Sequence, residues 1–232
     1  MIEGRSVLAV VPARSGSKGI PGKNMRPIKG LSLIGWAGRT LAAVPFVDRR
    51  ILSTDAEEYA DEGRRHGLDA PFLRPAAIST DQAGAVETIQ HALLTMEAVD
   101  HQTYDVVLIV EPTSPLRQPA DIEATVRTLL ESGADSAVTV SPLPAKAHPS
   151  KVLTKDAEGR LDFFQTEGRS VVARQSLSRL FWRNGVCYAL TRACLVEQSA
   201  IFGRRTVAHV IDRPLVNIDE PWELEWAEFL LK

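Results

Sequence analysis

Residues Val7–Val11 form an unbroken apolar run that stops at Pro12. A strand with no polar side chain on either face belongs in a sheet covered on both sides, as in parallel α/β architectures. The run feeds directly into a loop, Ala13–Asn24, with three glycines (Gly16, Gly19, Gly22) and three cations (Arg14, Lys18, Lys23). Glycines let backbone N–H groups crowd around an anion, and cations neutralise it. A buried strand entering such a loop near the chain start reads as a polyphosphate site.

Strand and helix patterns alternate along the rest of the chain. After Val7–Val11 come a helix over Leu33–Val44, a strand over Arg50–Ser53, a charged helix over Ala56–His66 and a short third strand at Asp69–Leu73. The clearest helix is Ala85–Val99, where Val86, Ile89, Leu93 and Met96 share one face. A strand over Asp105–Val110, a helix over Pro119–Leu130 and a strand over Ala134–Val140 follow. Asp121 and Glu123 sit in the first turn of that helix, where its dipole favours them. Residues 141–175 break the pattern: Lys151–Thr154 and Arg160–Gln165 flank an Asp-Ala-Glu-Gly turn and read as an antiparallel hairpin. Such a hairpin has little core of its own, which marks residues 141–175 as an insertion and a subunit contact within one domain spanning residues 1–232. Late strands over Gly185–Leu190 and Val207–Ile211 and a closing helix over Trp222–Leu231 complete the chain. Trp222 and Trp226, one turn apart, read as core. Alternation of this kind predicts an α/β fold with a mostly parallel sheet and helices on both faces. Ligands sit at the carboxyl ends of strands in such sheets. The loops Ala13–Asn24, Ser53–Asp55 and Glu111–Arg117 all lie there.

The bulk numbers narrow the partners. The chain has 232 residues and a net charge of −2, which gives no basic coat for nucleic acid or a membrane surface. No apolar stretch nears the roughly 20 residues of a membrane span. Two cysteines, Cys187 and Cys194, make neither a disulfide framework nor a metal spacing. With no signal-peptide pattern, they point to a reducing cytoplasm. Ile2-Glu3-Gly4-Arg5 resembles a protease-recognition tag and is left aside.

The loop is neither of two familiar phosphate binders. A Walker loop places four residues between its glycines and Ser or Thr after its lysine, but here five residues separate Gly16 from Gly22 and Asn24 follows Lys23. A Rossmann fingerprint needs its glycines at a helix mouth, and Pro21 and Pro27 resist an immediate helix. The loop should wrap its anion.

From about Ser6 to its end, the chain resembles the acylneuraminate cytidylyltransferases, the CMP-sialic acid synthetases. The likeness rests on Pro12–Asn24, Ser53-Thr54-Asp55, Leu73-Arg74-Pro75-Ala76 with Asp81 behind it, Pro112-Thr113-Ser114-Pro115-Leu116-Arg117, Arg174-Gln175, Asn184-Gly185 with Tyr188, and Ile218-Asp219 before an acidic helix. The resemblance implies a Rossmann-like fold of the nucleotide-diphospho-sugar transferase type with a small antiparallel dimerisation insertion. It also implies a reaction in which the anomeric hydroxyl of a nine-carbon 2-keto sugar acid attacks the α-phosphate of CTP and pyrophosphate leaves. A triphosphate brings about four negative charges. Arg14, Lys18 and Lys23 would meet them, aided by backbone N–H groups around Gly16 and Gly19. By the same resemblance Ala13, Gly16, Ser17, Asn24 and Arg74 bind the nucleotide. Glu111, Arg174, Asn184, Tyr188 and Phe202 bind the sugar acid, with Phe202 reaching a neighbouring subunit. Asp219 and Asn217 would hold Mg2+ or another divalent ion, and the enzyme would be a homodimer with shared sites.

The chain departs from that family at three positions. Asn217-Ile218-Asp219 stands where the family has Asp-x-Asp, so one charge is lost and metal binding should weaken. Glu111 replaces a glutamine before Pro-Thr-Ser-Pro, and Trp182 stands where relatives often carry arginine. These changes bear on the sugar more than on the reaction. They leave two alternatives, an eight-carbon keto sugar acid as acceptor or a nucleotide-binding homologue with impaired catalysis. His148 is the only histidine near a recognisable block, and Ser114 and Arg117 are candidates to face the site.

Overall fold

The computed structural model describes residues 1–170 and 177–231. In chain order the elements are β1 (Val7–Pro12), β2 (Pro27–Ile28), β3 (Leu31–Ser32), α1 (Leu33–Ala42), β4 (Arg49–Ser53), α2 (Glu57–Arg65), α3 (Ala85–Asp100) and β5 (Val106–Ile109). They continue with α4 (Pro119–Ser132), β6 (Ser136–Pro142), β7 (Leu153–Lys155), β8 (Leu161–Phe163), β9 (Phe181–Thr191), α5 (Arg192–Val196), β10 (Thr206–Val210) and α6 (Pro221–Leu230).

Six strands form the central sheet in the order β10-β6-β9-β5-β1-β4. β1 runs parallel to β4 and β5, and β10 runs parallel to β6. β9 enters between β5 and β6 antiparallel to both. The sheet is therefore mostly parallel, as the alternating pattern predicts. Only β9 reverses, a sense that its side chains alone do not encode.

Alternation along β1 shows why its apolar run had to be buried. Val7, Ala9 and Val11 pack into one cluster with Ile34 and Leu41 of α1 and Ile122 and Val126 of α4. Leu8 and Val10 face the opposite cluster, with Ile89, Leu93 and Met96 of α3. All five β1 residues Val7–Val11 are 0% exposed. Burying such side chains contributes roughly 1.5–3 kcal/mol each. α4 starts on a capping box between Gln118 and Asp121. Asp121 also takes both guanidinium nitrogens of Arg213, at 2.8 and 2.6 Å.

Several expectations are corrected. Asp69–Leu73 is not a strand; it contributes only two isolated parallel bridges, Ile51 with Asp69 and Thr54 with Leu73. Trp222 and Trp226 are not core, being 61% and 45% exposed, and Trp226 stacks on Phe229. An i, i+4 pair shares a face, but the face that α6 buries carries Leu224, Ala227 and Leu230 instead. Ile2, set aside as a tag residue, packs into the core. The hairpin of β7 and β8 is antiparallel as expected, and the end of the insertion, residues 171–175, lies outside the described residues. No helix among the described residues is long and apolar enough to cross a membrane.

Candidate active site

At the carboxyl ends of β1 and β5 a cleft of about 750 Å³ opens. One wall is the loop after β1. Its entry is fixed by the sheet, because the Ala13 N–H donates to the Ser53 carbonyl at 3.0 Å. Ser15 is then anchored to the end of β4: its N–H and hydroxyl donate to the two carboxylate oxygens of Asp55, at 2.8 and 3.0 Å. Asn24 Nδ2 reaches back to the Arg14 carbonyl at 3.4 Å, which folds the loop on itself. Lys23 Nζ donates to the Ile218 carbonyl at 2.8 Å and to Asp219 Oδ1 at 2.9 Å, tying the loop to the segment before α6. Gly19 is required at that junction, since a Cβ there would lie 2.9 Å from the Asp219 carbonyl oxygen.

The cations of this wall point into the cleft. Arg14 and Lys18 both pair with Asp81, on the loop that precedes α3. Lys18, and after it Arg14, hold the Asp81 carboxyl below the usual carboxylate range. Arg74 is 6% exposed; its N–H donates to the Thr54 carbonyl at 2.6 Å and its Nε to Ser79 Oγ at 3.1 Å. Burial pulls the Arg74 pKa down, while Asp55 pushes it the other way.

The opposite wall mixes apolar and charged groups. Tyr188, from β9, meets Phe202 edge-on with ring centres 6.4 Å apart, and the Arg183 guanidinium lies 5.5 Å from the Phe202 ring centre. Burial pushes the Tyr188 phenol up to about 12, so it remains a neutral group. Glu111 follows β5. Burial raises its pKa; Asp219 acts in the same direction, and Arg117, Arg183 and Lys23 oppose it. Room for its carboxylate depends on Gly185, which has φ +69° and whose added Cβ would lie 2.5 Å from Glu111 Oε2.

The structure brings together Arg14, Ser17, Lys18, Lys23, Asn24, Arg74, Glu111, Tyr188, Phe202 and Asp219 around this one cleft. Phe202 lies beside the cleft of its own chain, next to Tyr188 and Arg183, and is 46% exposed. Other expected residues stand elsewhere. Ala13 is buried behind the loop, and Gly16 is exposed outside the cleft wall. Asn217 lines a neighbouring depression with Trp182 and Trp222. Asn184 is 0% exposed and spends its amide inside the protein: Nδ2 donates to Ser141 Oγ at 3.1 Å and Oδ1 accepts from the Val186 N–H at 3.2 Å. Ser114 and Arg117 are buried behind the cleft and do not face it. Arg174 lies outside the described residues. His148 holds a turn, its Nδ1 accepting from the Ser150 N–H at 3.2 Å and its Nε2 meeting Ser178 Oγ at the same distance. Arg183 was missed by sequence reading, because it precedes the apolar stretch that marks β9. The anchoring role of Asp55 was missed too, although its place after β4 was the available signal.

The donor set suits a hard divalent cation. Asp219 offers an exposed carboxylate that pairs with Lys23, and Asn217, two residues before it, accepts from Ser114 Oγ through Oδ1 at 3.4 Å. Among the described residues no cluster of three His, Cys, Asp or Glu side chains could hold a metal alone. Phosphate oxygens would have to complete the shell, which is the usual arrangement for magnesium at a nucleotide.

Comparison with known proteins points one way. The family model described as cytidylyltransferase matches residues 8–211. The CMP-N,N'-diacetyllegionaminic acid synthase of Legionella pneumophila is 30% identical over 224 residues, covering 95% of this chain and 93% of that protein. The N-acylneuraminate cytidylyltransferase of Escherichia coli is 27% identical over 223 residues, covering 95% of this chain but 51% of that longer protein. Among solved structures, a CMP:2-keto-3-deoxy-manno-octonic acid synthetase complexed with CTP superposes with a TM-score of 0.68 at 18% identity, covering 97% of this chain and 98% of that one. The last likeness establishes the nucleotide-diphospho-sugar transferase fold.

Proposed function

The chain belongs to the cytidylyltransferase family, and from that premise we propose that it transfers CMP from CTP to the anomeric hydroxyl of a nine-carbon 2-keto sugar acid. Pyrophosphate is released. The observation that carries this reading is the make-up of the cleft, which is lined by four cations, Arg14, Lys18, Lys23 and Arg74, and also by Tyr188, Phe202, Arg183 and Glu111. The cations fit a triphosphate, and the mixed apolar and charged groups fit a sugar acid with ring hydroxyls and apolar substituents. The 30% identity to a synthase named for diacetyllegionaminic acid supports an acceptor of the nonulosonic class.

The roles follow from position. Arg14 and Lys18 exchange Asp81 for the phosphates and meet the charge that grows on the leaving pyrophosphate. Lys23 stands between that charge and Asp219. Asn24 and Arg74, which also line the cleft, would meet the nucleoside. On the acceptor side, Arg183 offers a cation to the sugar carboxylate, and the Tyr188–Phe202 pair excludes water beside it. Asp219 and Asn217 would hold a magnesium ion, which supplies charge neutralisation at the phosphate oxygens when bound.

The hairpin supports a homodimer. Leu153, Leu161 and Phe164 are 47%, 64% and 63% exposed, an apolar surface that a second copy would cover. The two free, buried thiols fit a reducing cytoplasm. The test is pyrophosphate release from CTP, ATP, GTP or UTP with nine-carbon and eight-carbon keto sugar acids. Release with CTP and a nine-carbon acid supports the reading. Release only with an eight-carbon acid refutes the acceptor, and CTP binding without release under any divalent ion refutes the catalysis.

A further inference from the structure

β9 is interrupted where it passes the cleft. Val138 of β6 stands opposite Tyr188, but Val140 stands opposite Arg183, so residues 184–187 bulge out of the ladder. The carbonyls of the bulge lose β6 as a partner, and a buried carbonyl without a partner is costly. Each is met by a side chain. Ser114 Oγ donates to the Asn184 carbonyl at 2.9 Å, and Thr139 Oγ1 donates to the Cys187 carbonyl at 3.0 Å. Arg117 supplies the two between: Nη2 donates to the Gly185 carbonyl at 3.3 Å, and Nε donates to the Val186 carbonyl. Nη2 also donates to the carbonyl of Glu111.

Arg117 is 5% exposed, and its hydrogen bonds all go to backbone carbonyls. Burial pulls its pKa to about 10, so it stays charged at neutral pH. Burying a charge with no carboxylate bonded to it is unfavourable, and an apolar side chain of similar volume would fill the space without that cost. The guanidinium fork does what no apolar side chain can: it joins the loop after β5 to the bulge of β9. The bulge in turn is flanked by Arg183 and Tyr188, both on the cleft wall, and Gly185 within it abuts the Glu111 carboxylate.

We propose that Arg117 is a positioning residue for the acceptor: from behind the cleft it locks the β9 bulge to the Glu111 loop and so sets where Arg183, Tyr188 and Glu111 meet the sugar acid. The proposal rests on the acceptor reading given above. The nucleotide wall is built on β1, β4 and the segment before α6, which Arg117 does not touch.

The experiment compares the full-length chain with Arg117→Lys, which keeps the charge but cannot bridge several carbonyls. KM for the sugar acid rises about tenfold or more, while the Kd for CTP by calorimetry stays within about twofold. A merely structural role would lower the folded fraction and kcat and leave both constants in place. An unchanged KM for the acid, or a CTP Kd that weakens as much as that KM, overturns the proposal. Ser114→Ala removes the donor to the Asn184 carbonyl, together with its longer contact to Asn217 Oδ1, and should raise the acid KM by a smaller factor than Arg117→Lys does. If Arg117→Lys does not fold, an unchanged acid KM in Ser114→Ala overturns the proposal instead. Wild-type turnover separates the two levels: no release with any acid refutes the acceptor reading, whereas the variant-to-wild-type ratio tests the positioning.

Discussion

Gly185→Ala probes the back of the cleft most sharply. At φ +69° an L-residue is disfavoured, and the new Cβ would lie 2.5 Å from Glu111 Oε2, 3.0 Å from Ser114 Oγ and 3.1 Å from Asn217 Oδ1. The left-handed backbone costs roughly 1–2 kcal/mol. Ser114 is pinned to the Asn184 carbonyl, so the methyl group displaces the Glu111 carboxylate, whose side chain makes no hydrogen bond among the described residues. A total near 2 kcal/mol, at about 2–4 °C per kcal/mol for a domain of this size, lowers Tm by roughly 4–8 °C. That leaves the fold intact, because domains hold about 5–15 kcal/mol. Activity falls further than stability does. Displacing a substrate-facing group by about an ångström costs up to a hundredfold, so kcat/KM for the acid should drop about ten- to a hundredfold. CTP affinity should fall less than kcat/KM for the acid. Thermal melting by circular dichroism, calorimetry with CTP and a pyrophosphate-release assay read the three quantities. A Gly185→Ala enzyme with wild-type Tm and kcat/KM within about threefold would refute the packing described at Glu111.

Other perturbations test separate parts. Asp81→Asn frees Arg14 and Lys18 from their carboxylate, so CTP should bind about two- to fivefold tighter by calorimetry; weaker binding would make Asp81 a ligand of the nucleotide instead of a placeholder. Lys18 is 80% exposed, so Lys18→Ala should leave Tm unchanged while turnover falls about a hundredfold or more; turnover within about threefold of wild type would remove it from the phosphate site. Asn217→Asp should lower the magnesium concentration needed for half-maximal rate, and an unchanged requirement would take Asn217 out of the metal site. Glu97 accepts from Arg192 at 2.8 and 2.9 Å and from the Tyr104 N–H at 3.1 Å. The Arg192 contact holds its carboxyl below the usual 4.5, so its stabilisation is present above that value and is lost as pH falls through the lowered one. Glu97→Gln should therefore melt lower than wild type at neutral pH and alongside it in strong acid; a constant gap across that range would contradict the ion-pair origin.

Legibility tracked physics that is local to the chain. Val7–Val11 declared its place because every side chain is apolar, and burial on both faces followed. The loop after it was readable because glycines and cations have few other reasons to gather. What was not readable depends on neighbours distant in sequence. The start of β9, Phe181-Trp182-Arg183, carries no strand alternation, so neither its length nor its antiparallel sense could be foreseen. Asn184, Ser114 and Arg117 looked like site residues because polar side chains in a motif usually face a ligand. Here the β9 bulge occupies all three, Ser114 and Arg117 as donors to its carbonyls and Asn184 within it, and only the pairing register of β6 with β9 reveals it. Trp222 and Trp226 show the same limit, since helical spacing gives a shared face but not its direction.

The product itself distinguishes CMP transfer from any other use of CTP. The wild-type chain is incubated with CTP, a divalent ion and a nine-carbon 2-keto sugar acid, and the mixture is analysed by mass spectrometry. One CMP-sugar adduct is expected, formed in step with pyrophosphate, dependent on CTP over the other nucleoside triphosphates and absent with Lys18→Ala. Adduct formation only from another nucleotide, or CTP hydrolysis with no CMP-sugar, would contradict CMP transfer.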